Sequence, residues 1–526
     1  MPRLPALLRY PCAVSERLER TILAACVVAS VGFAALYLGS SLQRLTYPFE
    51  LEWMEGGSLE HLMRVLRGDP LYVRPSIEFV PFPYPPFYYY LGAIVSKLTG
   101  PGLLPLRIIS LAASLGTAWI VHRFVRRETG RVVFGAIAAG IFLATWRASG
   151  LYFDVARLDS LFTFLLLASL YRFRFAQGRS DLVLAAVLAF LAVMTKQTAA
   201  VVVAPLALWC AWADWKATER DLGRFREWDR FIAYGLVLAA LVGTATGLLN
   251  GILEEHFLLH IVGAQQQHGI LPHMVGWFLW RDLLLSVPIL SLAPLLWLVL
   301  RRRQQDEWDG FHLLVLVCVL LACLIPRIKV GGAANNLIPA HAWLAVVLGV
   351  SIARIRAVVS PERSAAVAVM VAAGLLFQLV LLMRVPDGIL PTEADRRAGN
   401  ALAARVAGIE GEVLMPVQGY LAGRAGKRVF AHQMPVADYA KSGLADAEEL
   451  RESYTRAIRE KRFAVVIDSN TAFLRNYLPD GLLERHYEMK GWLFEDVTVL
   501  VPISGAQIRS GTFWTRRDGP YQRESR

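Results

Sequence analysis

From residue 21 to residue 383 the chain alternates apolar runs with short polar connections, and beyond that point the pattern changes. Eleven runs suit helices in a bilayer, whose core takes about 20 residues per helix. They are 21–42, 104–122, 132–147, 159–175, 181–195, 198–213, 231–249, 282–300, 311–325, 337–353 and 365–383. The first, Thr21 to Leu42, follows Arg3, Arg9, Arg17 and Arg20. It is too long for a signal-peptide core and lacks a good small-residue cleavage site, so it reads as a retained signal anchor. Residues 84–98 (YPPFYYYLGAIVSKL) are also apolar, but short, rich in Tyr, opened by Tyr-Pro-Pro and interrupted by Lys97. That composition predicts an amphipathic helix lying at the membrane surface rather than a further span. A long first outer loop, 43–103, results.

Beyond residue 383 the composition turns mixed and charged. Residues 412–417 (EVLMPV), 463–468 (FAVVID) and 497–503 (VTVLVPI) read as buried strands, and 446–461 as a helix with Asp446 as its N-cap. A small domain with a mainly parallel sheet is expected, closed by a polar tail from Arg509 on. The predicted architecture is a polytopic α-helical membrane protein of about eleven spans, residues 1–383, with a soluble α/β domain over 384–526.

Composition agrees. Of 526 residues 55% are hydrophobic and 19% charged, where soluble proteins carry about 25% charged. Lys and Arg total 55 against 43 Asp and Glu. On a soluble chain the excess would suggest nucleic acid, but no such motif interrupts the apolar runs, and nucleic acid is not an expected partner. The excess sits instead in every second connection: Arg123/Arg126/Arg127/Arg131, Arg172/Arg174/Arg179, Lys216/Arg220/Arg224/Arg226/Arg230, Arg301/Arg302/Arg303 and Arg354/Arg356/Arg363. Basic loops stay on the cytoplasmic side, so the N-terminus is expected inside and the C-terminal domain outside. The five cysteines form no CxxC pair, which argues against a disulfide framework or a cysteine zinc site.

Acidic residues gather just after the first run: Glu50, Glu52 and Glu55 among aromatic and apolar neighbours. A carboxylate at such a boundary loses hydration and becomes a stronger base; solvated loop carboxylates are the plainer alternative, and Glu50 looks most like that. Then come Arg67-Gly68-Asp69-Pro70-Leu71-Tyr72 and Tyr84-Pro85-Pro86-Phe87-Tyr88-Tyr89-Tyr90. This acidic pair, the R-x-L-x-G-x-x-L-Y segment and the Y-P-P-x-Y-Y-Y turn resemble superfamily C (GT-C) glycosyltransferases. The nearest branch holds the protein O-mannosyltransferases and the lipid A aminoarabinose transferases. Arg107 at the start of the second run and Asp154-Val155-Ala156-Arg157-Leu158-Asp159 in the second outer loop are similar in kind, and the likeness covers roughly residues 20–350.

The resemblance implies a polyprenyl-phosphate sugar donor, used on the outer face of a bacterial inner membrane. A carboxylate takes the proton from an acceptor hydroxyl, on a lipid, glycan or protein, as that oxygen attacks the anomeric carbon. The lipid phosphate leaves and the configuration inverts. Relatives keep an adjacent Asp-Glu, whereas this chain has Glu52 and Glu55 three apart. Order in the pair maps the base to Glu52; counting back from the glycine of G-x-x-L-Y favours Glu55. Asp154 or Asp159 would orient the acceptor, a cation or a metal.

Cations for the lipid phosphate are Arg327, Lys329, Lys196 and Arg157, all where the orientation rule does not expect them. Pairing of Arg157 with Asp154 or Asp159, or snorkelling of Lys196, would account for them equally. Tyr84 and Tyr88 would line the entrance, and Asn335 and Asn336, after Gly331-Gly332, could meet sugar hydroxyls. His256 and His260, one helical turn apart, could join Glu255 or Asp154 around a divalent metal; acceptor contacts for His256 are the blander reading. No cofactor is otherwise indicated. A transporter would carry polar groups near mid-span in two related halves, and a non-catalytic envelope scaffold would not need the outer carboxylates; neither suits the pattern.

Overall fold

The computed structural model describes residues 12–218, 229–252, 256–263, 269–301, 308–358, 361–383, 388–441 and 444–518. Each of the eleven apolar runs is helical. The first seven helices are α1 (Cys12–Leu45), α2 (Glu55–Arg67), α3 (Phe87–Thr99), α4 (Leu103–Thr129), α5 (Val132–Ala144), α6 (Asp159–Arg174) and α7 (Arg179–Val193). Helices over Ala200–Thr218, Val237–Ile252, Pro288–Arg301, Asp309–Arg327, Ile338–Val358 and Pro361–Leu382 follow. Among the described residues six stretches, including Arg17–Leu45 and Leu103–Thr129, are each long and apolar enough to cross a bilayer alone. The predicted run 282–300 is broken: His273–Leu285 and Pro288–Leu300 meet at 98°. Proline cannot donate the backbone hydrogen bond that would continue the first helix, and the chain turns at Pro288.

The helix Ile338–Val358 runs through the middle of the bundle; residues 340–352 are all buried. It packs on α4, α5 and α6. Small residues set the closest approaches, as expected where packing rather than hydrophobic contrast joins helices. A Cβ on Gly140 of α5 would lie 2.1 Å from Cβ of Ser30 on α1. Helix α3 has 13 residues and exposes Tyr90, Ile94 and Leu98 at four-residue spacing, one apolar stripe of the kind an interfacial helix presents.

The C-terminal part differs from the sequence reading in four ways. Its four strands, β1 (Val413–Leu414), β2 (Val465–Ser469), β3 (Tyr487–Trp492) and β4 (Ser510–Arg516), run in the order β1-β2-β4-β3. Only β1 and β2 are parallel, joined across the helix Ala445–Arg459, as parallel strands require. The β2–β4 and β3–β4 pairs are antiparallel, so the sheet is mostly antiparallel. The tail read as polar supplies the central strand β4, where Gly511, Thr512, Phe513 and Trp514 are buried. Residues 497–503 form no strand: the Leu500 amide donates to Asp395 and the Val497 carbonyl accepts from Arg509, while Ser504, just beyond them, meets the first loop at Leu51. Asp446 lies in the first turn of its helix rather than at the cap, which is Leu444.

This domain shares one continuous apolar core with the bundle: Met415, Leu421 and Phe513 belong to the same cluster as Phe49, Leu59 and Leu106. A second cluster joins Ile77 and Val80 of the first loop to Tyr439, Tyr454 and Phe463. The loop after α1 is thus held between bundle and domain.

Candidate active site

The loop after α1 is shaped by one arginine. Arg107, wholly buried on α4, donates to the carbonyls of Arg44 (3.2 Å), Tyr47 (2.5 Å) and Phe49 (2.6 Å). The first is in the last turn of α1 and the other two are in the loop just beyond it, and a guanidinium satisfies several carbonyls at once. Its remaining donors reach both oxygens of Glu55, at 2.9 and 2.6 Å. Glu55 also accepts from the amides of Leu51 and Ala156, each at 2.6 Å. Burial raises its carboxyl, but Arg107 overrides this and holds it below the usual range. Glu55 is a saturated ionic lock between three segments.

Glu52 stands differently. One oxygen accepts from the Met54 amide (3.1 Å) and from Arg157 (3.1 Å). The other, Oε1, is buried with no hydrogen-bond partner. Burial outweighs the attraction of Arg157 and pushes this carboxyl up to about 7. Glu50 is buried too, not solvated: it accepts from the Gly56 amide at 2.9 Å.

Around Glu52 the structure collects residues far apart in the chain. Arg157 reaches the Tyr84 hydroxyl at 3.4 Å and lies over its ring. Two residues further, Asp159 opens α6 and pairs with Lys196 at 2.7 Å; the same ammonium donates to Asn336 Oδ1 at 2.9 Å. Asn335, also buried, lies beside Asp159. So Glu52, Arg157, Tyr84, Asp159, Lys196, Asn335 and Asn336 form one buried, mixed-charge region. Arg157 pairs with Glu52, not with Asp154, and Lys196 pairs rather than snorkels.

Other expected site residues lie elsewhere. Asp154 is paired with Arg44 at 2.7 Å. Arg327 is bound to Asp282 at 2.7 Å and to the Gly332 carbonyl at 2.8 Å. Lys329 makes a short backbone bridge with Ile270. Tyr88 does not line an entrance: it is fully buried, its hydroxyl on the Leu106 carbonyl (3.0 Å) and Ser110. His260 is held by the Val73 carbonyl (2.9 Å) and Tyr439 (2.7 Å), while His256 opens a short helix over His256–Leu258. Glu254, Glu255 and residues 265–268 of that loop lie outside the described residues. Among the described residues no group of three or more His, Cys, Asp or Glu is placed to hold a metal.

Three contributors escaped the sequence. The Ser504 amide donates to the Leu51 carbonyl at 3.0 Å, and its hydroxyl to the Gly150 carbonyl at 2.7 Å. This brings Gly505 over Glu52; with φ +73°, a Cβ there would lie 2.8 Å from Glu52 Oε1 and 2.4 Å from the Tyr152 hydroxyl. His432, kept neutral by burial with its pKa near 4, sits beside Trp53 and accepts from the Met434 amide. Arg44 could have been noticed as a lone arginine closing an apolar run at the end away from the basic N-terminus.

Residues 83–247 match the model of the dolichyl-phosphate-mannose-protein mannosyltransferase family. The fold is that of ArnT from Cupriavidus metallidurans, solved bound to undecaprenyl phosphate and in the apo state: TM-score 0.55, 15% identity, 92% of this chain and 97% of that one. It is also similar to the oligosaccharyltransferase AglB from Archaeoglobus fulgidus, solved with an inhibitory peptide and a dolichol-phosphate: TM-score 0.51, 12% identity, 95% of this chain and 74% of that one. No curated protein matches by sequence. The fold is thus shared with these polyprenyl-phosphate-binding membrane transferases, and the matched segment resembles the dolichyl-phosphate-mannose-protein mannosyltransferases.

Proposed function

We propose that the chain moves a sugar from a polyprenyl-phosphate donor to a hydroxyl of an envelope acceptor, with inversion, and that Glu52 is the general base. The observation that carries this is the contrast between the two carboxylates. Glu55 has every oxygen engaged; Glu52 has a buried Oε1 without a hydrogen-bond partner, and a pKa near 7. A base works best when its pKa lies near the operating pH.

Arg157 is the natural first partner of the donor phosphate. When that singly charged phosphodiester arrives, the guanidinium exchanges Glu52 for phosphate oxygens, to which its planar fork is matched, and it is placed to meet the second charge that appears as the phosphate leaves. Glu52 is then released to accept the acceptor's proton. Lys196 supplies a second cation, positioned by Asp159 and Asn336. Cations at this point stabilise the charge that grows on the leaving phosphate as the glycosidic bond breaks. Asp159 acts here through Lys196 rather than on the acceptor. The basic connections support an N-terminus in the cytoplasm and the loop 43–103 with the C-terminal domain outside, which fits work on the outer face of a bacterial inner membrane, where lipid-linked rather than nucleotide-linked sugars are available.

The test is mass spectrometry of envelope glycolipids and glycans from cells with and without the gene. A monosaccharide that disappears with the gene, and returns with the wild-type chain but not with Glu52→Gln, is the expected result. An unchanged glycan inventory refutes the reading.

A further inference from the structure

A cavity of about 950 Å³ lies beside α2. None of Glu52, Arg157, Asp159 or Lys196 lines it. Its floor is apolar: Leu45 and Pro48 at the end of α1, Leu59 and Met63 of α2, Leu103 and Leu104 at the start of α4. Two long apolar helices emerge there, so the floor sits at the depth where a bilayer passes from hydrocarbon to headgroups. The rim is basic. Arg67 comes from α2, where it pairs with Asp69 at 2.8 Å, and Arg424, Lys427 and Arg428 come from the C-terminal domain; the acids in the lining are Glu60 and Glu78. Arg424 has no carboxylate partner among the described residues; Arg428 makes only distant pairs, at 3.5 and 3.9 Å.

Two buried polar atoms in the wall lack partners: Glu60 Oε1 and the Tyr420 hydroxyl, on side chains 8% and 4% exposed. An unsatisfied buried polar atom costs about 1–3 kcal/mol, and each such atom calls for a partner that fills the space beside it. Burial pushes the Glu60 carboxyl up to about 8. At neutral pH it is mostly uncharged and does not repel an anion.

We infer that this cavity binds an anionic membrane lipid, with acyl chains on the Leu45–Leu59–Leu103 floor and the phosphate among Arg67, Arg424 and Arg428. Glu60 and Tyr420 meet its glycerol or ester oxygens. A free phosphate would leave the apolar floor bare, and a neutral lipid would leave the basic rim unmatched. The site is independent of the donor site at Glu52.

The full-length protein in detergent is titrated with dioleoylphosphatidylglycerol or dioleoylphosphatidylcholine, and bound lipid is counted by native mass spectrometry. Wild type should retain phosphatidylglycerol more tightly. Arg424→Ala with Arg428→Ala should weaken that retention roughly tenfold or more, at about 1 kcal/mol per basic side chain near an anionic headgroup, and leave phosphatidylcholine unchanged. Met63→Trp, which fills the floor, should displace both lipids, with an unchanged melting temperature reporting intact folding. Equal retention of the two lipids by wild type, or unaltered phosphatidylglycerol retention in the double arginine variant, overturns the inference.

Discussion

Replacing each carboxylate by its amide separates a base from a lock. Glu52→Gln keeps size and shape, and its amide oxygen still accepts from Met54 and Arg157. It cannot take a proton. Loss of a positioned general base costs about 10²–10⁴ in rate, so turnover should fall within that range while melting temperature and donor binding hold. Glu55→Gln has the opposite signature. It removes the charge opposite a wholly buried Arg107, and breaking one side of a buried pair costs about 3–5 kcal/mol. It also turns an NH₂ toward the amide of Leu51 or Ala156 or toward Arg107, replacing an acceptor with a donor. Its melting temperature should drop sharply, and activity should be lost together with the fold. The assay is transfer from a synthetic polyprenyl-phosphate sugar in proteoliposomes, beside a thermal melt of each purified variant. A Glu52→Gln protein that turns over normally, or a Glu55→Gln protein that is as stable as wild type and merely inactive, would refute the assignment.

The pKa near 7 at Glu52 predicts an acid limb: the rate should fall about tenfold per pH unit below 7, because the protonated carboxyl cannot act as a base; a flat profile from pH 8 to pH 5.5 would contradict it. Lys196→Met leaves Asp159 without its cation and should raise the KM for the lipid donor at least about tenfold; an unaltered KM removes Lys196 from the phosphate site. Gly505→Ala pushes a methyl onto Glu52 Oε1 and the Tyr152 hydroxyl at a positive φ. It should lower kcat by about tenfold or more through misplacement of the base, whereas Gly426→Ala, also at positive φ but with open space around it, should not.

Several features were written in the chain order itself. Apolar runs of bilayer length became helices, because a backbone in hydrocarbon must satisfy its own hydrogen bonds locally. The first long loop's carboxylates, Arg157, Lys196 and the Asn335–Asn336 pair were visible as polar groups at places where apolar sequence makes them costly. Tyr84 was visible as part of a motif.

Tertiary structure decided which of those groups meet, and with what result. Glu52 and Glu55 are alike in sequence; Arg107, delivered by α4, turns one into a lock, while the other is left facing Arg157 with an oxygen unused. Arg327 looked as available as Arg157 until Asp282, 45 residues away, claimed it. Residues 497–503 read as a strand because Val, Leu and Ile alternate there, yet the sheet position went to Ser510–Arg516, whose polar flanks hid it. Local pattern reports what a segment would bury, but partners for charge and backbone come from remote parts of the chain, and only the folded arrangement brings them within reach.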